Sequence, residues 1–130
     1  MGHSYREGMS LIEIMITMVI IAIIAGIAYP RYQRMVAKSK QMEAKTILQS
    51  IHMGEDLFRT TTDKYTNNLN ELDIEIPGDT RYAYSISINE SGTSYLATAV
   101  ANIDSDPVMD EWQIDQGNNL VNTVNDVIEE

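Results

Sequence analysis

Residues 8–30 read Gly8-Met-Ser-Leu-Ile-Glu13-Ile-Met-Ile-Thr-Met-Val-Ile-Ile-Ala-Ile-Ile-Ala-Gly26-Ile-Ala-Tyr29-Pro30, and the fold turns on how this stretch is read. Ile14 to Tyr29 is an almost unbroken apolar run, interrupted only by Thr17 and Gly26. A bilayer-spanning helix needs about 20 mainly apolar residues. Met9 to Tyr29 supplies 21 positions, with one serious violation at Glu13. A carboxylate deep in a bilayer costs about 2.5–3.5 kcal/mol on insertion scales, and less near a helix end.

Three readings compete. A secretory signal with a cut after Gly26-Ile27-Ala28 would place Glu13 where an apolar region should begin, and its basic start is weak because Glu7 offsets Arg6. A plain signal anchor makes Glu13 incidental. The third reading gives Glu13 a function, since an intramembrane acid calls for a named partner. No base lies within two helical turns on its C-terminal side. Cleavage after Gly8 would expose a new ammonium at Met9, four residues from Glu13. Along one helix that geometry is poor; between staggered neighbouring chains it is good.

Gly8-Met9-Ser10-Leu11-Ile12-Glu13, the apolar run and Tyr29-Pro30 together resemble the class III signal of type IV pilins and pseudopilins. The resemblance implies removal of residues 1–8 by a prepilin peptidase, N-methylation of Met9, and a Glu13 that neutralises the amine of an adjacent copy during assembly. Met9 stands where the family usually has phenylalanine, and Ser10 where it usually has threonine. Breaking a buried ion pair costs about 3–5 kcal/mol, although the pair itself adds little. Glu13 would therefore act on register more than on adhesion. The basic residues beyond the helix, read alone, favour a cytoplasmic C-terminal side; the resemblance implies the reverse, N-in and C-out in the inner membrane, then a cell-surface filament.

Beyond Pro30, Ala44, Ile47, Leu48, Ile51 and Phe58 recur at helical spacing, with Glu55 and Arg59 on other faces. One helix is expected from about Met9 to Thr60, roughly 75–80 Å long at 1.5 Å per residue. Pro30 removes a hydrogen bond and clashes with the Gly26 carbonyl, so a kink or local melting is expected there, and Gly26 adds freedom. Tyr29 and Tyr32 mark a lipid–water boundary.

The rest reads as a small antiparallel sheet. Asn68 and Glu71 have capping-box spacing, and Pro77-Gly78-Asp79 reads as a turn. Tyr82 to Ile88 alternates. Ser94 to Ala101 follows a turn at 90–93, with Leu96, Thr98 and Val100 on one face. Glu111 to Asp115 and Leu120 to Val124 form a hairpin around Gly117-Asn118. The expected fold is α+β: a long N-terminal helix, half transmembrane and kinked near Pro30, packed on an antiparallel sheet as in pilins. Its divisions are a leader (1–8), a transmembrane or filament-core helix (9–29), its amphipathic continuation (30–60) and a globular head (61–130).

The formal net charge of −10 is polarised. Arg31, Arg34, Lys38, Lys40 and Lys45 face only Glu43 in their stretch, whereas from Thr60 onward Lys64 and Arg81 stand against fourteen acids. The basic residues suit lipid headgroups or the acidic head of a neighbouring copy. The acidic head repels phosphate backbones, so no nucleic-acid partner is expected. There is no cysteine, which excludes disulfides and thiolate metal sites. Asp104, Asp106, Asp110 and Glu111 cluster in one loop. Some pseudopilins carry calcium in a comparable loop, and these four are Ca²⁺ candidates beside the plainer reading of a solvated acidic loop. His3 falls in the leader, and His52 reads as a surface or packing residue. No catalytic triad, phosphate loop or HExxH is present, so no enzymatic activity and no cofactor other than calcium is expected.

The reading is a type IV pilus subunit. Its partners are its own copies, the peptidase, the inner-membrane assembly machinery and, before assembly, lipid. A type II secretion pseudopilin is the near alternative. A membrane-anchored periplasmic binding module that never polymerises is the distant one.

Overall fold

The computed structural model describes residues 8–104 and 106–127. Residues 1–7 of the expected leader, with His3, Arg6 and Glu7, lie outside the described residues. The chain divides into two units, residues 1–35 and 36–130.

One helix, α1, runs Leu11–Thr62. It starts where the Ser10 carbonyl accepts the amides of Glu13 and Ile14, at 3.0 and 3.2 Å. The helical assignment passes through Gly26 and Pro30 without a break. The local melting that a mid-helix proline can cause is therefore not seen. The end has identifiable causes. Thr60, Thr61 and Thr62 turn their hydroxyls back onto the carbonyls of Leu57 and Phe58. Asp63 then takes φ 59° and donates its amide to the Arg59 carbonyl, a left-handed cap.

In the first unit every described residue, 8–35, is exposed. In the second unit α1 is amphipathic, burying Gln41, Ala44, Ile47, Leu48, Ile51, Gly54 and Glu55. Glu55 thus sits on the core face rather than on another face. Spacing alone allows this, because it falls four residues after Ile51.

After a 3₁₀ turn at Leu69–Glu71, four strands follow: β1 Ala83–Ile88, β2 Tyr95–Ala101, β3 Asp110–Asp115 and β4 Leu120–Val124. They form a sheet in the order β1-β2-β3-β4, with antiparallel neighbours throughout. Each turn has its chemistry. Gly92 takes φ +66°, which a side chain would resist. The Asn89 carboxamide accepts the amides of Thr93 and Ser94. Asn118 takes φ 59°, while Asp115 accepts the amides of Gly117 and Asn119. Hydrogen bonds from Asn119 hold the Asp115 carboxyl below its ordinary value. At residues 68–71 the expected capping box is only half made. Asn68 accepts the Asn70 amide, but Glu71 accepts the Thr66 hydroxyl instead of the Asn68 amide.

The buried face of β2 is Tyr95, Ala97, Ala99 and Ala101, opposite Leu96, Thr98 and Val100. The four buried residues share one cluster with Ala44, Ile47, Leu48 and Ile51 of α1. Ile86, Trp112, Ile114, Tyr65, Leu72, Tyr82, Ile103 and Val127 complete the core. Each buried Leu or Ile contributes about 1.5–3 kcal/mol.

Candidate functional site

Two groups of residues carry functional weight: the start of α1 with its apolar continuation, and the acidic loop of the head.

Gly8 is exposed, and a Cβ added there would meet nothing within 4 Å. Packing in the described chain does not require the glycine. Glu13 stands in the first turn of α1, where the N-terminal partial charge of the helix favours an acid. Among the described residues, no cation and no hydrogen-bond donor pairs with its carboxylate. Thr17 returns its hydroxyl to the Glu13 and Ile14 carbonyls, so the polar group inside the run is satisfied within the helix. Around them the large apolar side chains from Leu11 to Met35 stand between 40% exposed, at Ile14, and 79%, at Leu11. That much apolar surface has to be covered by lipid or by other chains. The helix is long and apolar enough to cross a membrane. Gly26 also has open space around it.

The five basic residues separate. Arg31 and Lys38 are exposed. Arg34 is exposed as well. Lys40 donates to the Ile103 carbonyl, and the Lys45 ammonium lies 4.4 Å from the centre of the Trp112 ring. Two of the five are thus engaged within the head, where a sequence reading had them available to neighbours.

The acidic loop also divides. Asp110 is fully buried at the start of β3 and is a structural hub. Its Oδ2 accepts the Tyr82 hydroxyl at 2.6 Å and the Trp112 indole N–H at 2.8 Å. Its Oδ1 accepts Gln41 at 2.8 Å, Asn122 at 3.1 Å and the Asp126 amide at 3.3 Å. Five donors leave no room for a metal ion, which removes Asp110 from the calcium candidates. Glu111 lies on β3 and accepts Gln113 at 2.7 Å. Among the described residues, the acids that do converge are Asp104, Asp106 and Asp126, whose ligand oxygens lie within 4.8 Å of one another.

Asp126 was not among the sequence candidates, because it comes 20 residues after Asp106 and only the β3–β4 hairpin brings it back. Two further residues have roles that helical spacing does not show. Glu55 is fully buried and accepts the Thr66 amide at 3.1 Å, pinning the segment after α1 to the helix. Gly54 would place a Cβ 2.9 Å from Ile74 Cγ2 and 3.2 Å from Leu72 Cβ, so that segment crosses the helix at a glycine. His52 packs inside the head, its Nδ1 2.6 Å from the Tyr95 hydroxyl.

Residues 3–29 match the prokaryotic N-terminal methylation motif. Residues 30–109 match the family described as type IV minor pilin ComP, DNA uptake sequence receptor. Over 82 residues the chain is 39% identical to the type IV major pilin protein PilA of Myxococcus xanthus (strain DK1622). That match takes in 63% of this chain but only 37% of the relative, so the chain spans well under half of its length. Among solved structures, a type IV pilin from Shewanella oneidensis superposes with a TM-score of 0.52 at 15% identity, covering 72% of this chain and 99% of that one. At that identity the likeness concerns the fold alone.

Proposed function

This chain belongs to the type IV pilin family, and from that premise we propose that it is a structural, non-catalytic subunit of a type IV pilus. It waits in the inner membrane as a single-pass protein, N-terminus inside, and then packs its apolar helix among copies of itself in a filament. The observation that carries this is Glu13: an acid unpaired among the described residues, set in the apolar first part of α1, where every residue up to Met35 is exposed. In lipid or in a filament core such a charge needs a counter-ion. Prepilin peptidase cleavage after Gly8 provides one, the methylated amine of Met9 on an adjoining copy. Because a lone buried charge is penalised far more than a pair is rewarded, the pairing selects the stagger between subunits.

Arg31 and Lys38, exposed beyond the apolar run, are the basic residues we assign to acidic patches on neighbouring heads. The DNA receptor role in the description of the matched family does not suit this head. With Lys64 and Arg81 against fourteen acids from Thr60 onward, it repels a phosphate backbone.

Electron microscopy of a strain lacking the chain and complemented with variants tests the proposal. Wild type restores surface filaments. Glu13→Ala accumulates in the membrane fraction but loses most filaments. Arg31→Glu with Lys38→Glu reduces filaments without lowering membrane levels. Wild-type filament numbers with Glu13→Ala would contradict the proposed role of Glu13, and the same result with the double reversal would remove the basic contacts. Loss of protein export with no filament in any strain would favour the secretion pseudopilin.

A further inference from the structure

We propose that a groove on the head, between α1 and residues 73–75, receives the basic stretch of α1 from a second copy of the chain. This rests on the pilus reading above and names the acidic patch that a neighbour's Arg31 and Lys38 meet. The groove is open and holds about 400 Å³. Met53, Leu57 and Ile74 supply its apolar lining, and Asp73 and Glu75 its charges. A surface helix normally turns charge toward solvent on the side away from its core. Here that side carries Met42, Thr46, Met53 and Leu57, all exposed, at i, i+4, i+11 and i+15. Met53 and Leu57 are 68% and 60% exposed, and apolar surface of that kind marks a contact. The far wall is fixed before anything docks. A Cβ on Gly54 would meet Ile74 Cγ2 at 2.9 Å, and the Ile74 amide donates to the carbonyl of the buried Leu72 at 2.8 Å. A preformed groove of this kind loses little freedom on binding.

Charge selects the occupant. No base lines the groove, and among the described residues no cation pairs with Asp73 or Glu75. Two acids repel an anionic lipid surface. A cationic segment with apolar stems suits them. Arg31 and Lys38 are exposed and seven residues apart on α1, hence on one face, with the exposed Met35 between them. Their stems cover the apolar lining while their heads reach the two carboxylates. Lys38 cannot fold back onto its own groove, because it precedes Gly54 by 16 residues of the same helix. At 1.5 Å per residue that is about 24 Å, and docked copies pointing the same way are offset by roughly this distance. Groove and basic stretch are different surfaces of one chain, so the contact is heterologous and extends into an open helical array instead of closing on a pair. The pairing proposed for Glu13 needs an offset of only four residues. The groove therefore engages a copy further along the filament than the one that Glu13 meets.

The chain has no cysteine, so introduced thiols report the contact directly. Sheared filaments carrying Lys38→Cys with Glu75→Cys in one chain are treated with a short bis-maleimide cross-linker, since the long side chains replaced leave the thiols too far apart for a direct disulfide. The expected result is a ladder of covalent multimers on a denaturing gel. Either single variant, or Lys38→Cys with Glu90→Cys in the turn after β1, gives monomer. In parallel, Asp73→Lys with Glu75→Lys loses most filaments, and adding Arg31→Glu and Lys38→Glu restores them. All four residues are exposed, so the head folds in each variant. Filaments without a ladder, an equal ladder from the Glu90 pair, an adduct to a different protein in place of the multimers, or a quadruple variant no better than the doubles overturns the contact and leaves the pilus reading standing. A wild-type chain that forms no filaments removes both.

Discussion

Asp110 shows what a single residue does in this head. Its carboxylate gathers donors from α1, from Tyr82 just before β1, from β3, from β4 and from the segment beyond it. Nothing local in the sequence distinguishes it from the acids at 104 and 106, because its partners come from positions 41 to 126. The same holds for Asp126, and for Gly54, which is required only because Leu72 and Ile74 cross there. Glu13 differs: the role we propose for it rests on its immediate neighbours, an acid in a run of Ile and Met. Asp110→Ala removes five acceptor contacts and leaves a void with unpaired donors. It should lower the stability of the head by about 3–5 kcal/mol, measured by urea unfolding through Trp112 fluorescence. A loss under about 1 kcal/mol would show that the hub is dispensable.

At the level of elements, period and turn chemistry put the helix and all four strands within one or two residues of their observed bounds. What period could not decide was which side of β2 is inward. Leu96 and Val100 are the bulkier apolar residues, yet the alanine side is buried. The approaching helix face carries Ile47, Leu48 and Ile51, and the volume is filled from that side. Ala99→Leu should therefore overpack the junction and cost about 1–3 kcal/mol, whereas Val100→Leu on the other face should change stability by less than about 0.5 kcal/mol. Paired urea titrations decide it, and equal effects at both positions would mean that the sheet does not pack on its alanine face. Pro30 was expected to bend or melt α1, and the helical pattern that persists across it speaks against melting. A proline whose i−4 residue is Gly26 clashes with a more adaptable backbone.

On the scale of the whole chain, two units with opposite solvent requirements are joined in one sequence. Residues 36–127 form a core around α1 and the sheet, while the apolar side chains before Met35 bury nothing within the described chain. That division was legible from composition, because a long apolar run cannot be accommodated by so acidic a head. The partner we propose for the run rests on Gly8 and Glu13, the proposed cleavage point and an acid that calls for a counter-ion. The intact mass of the chain recovered from sheared surface filaments tests this most directly. The account predicts a polypeptide that begins at Met9 and carries one added methyl group. A filament subunit that retains residues 1–8, or one that starts at Tyr29, would contradict it.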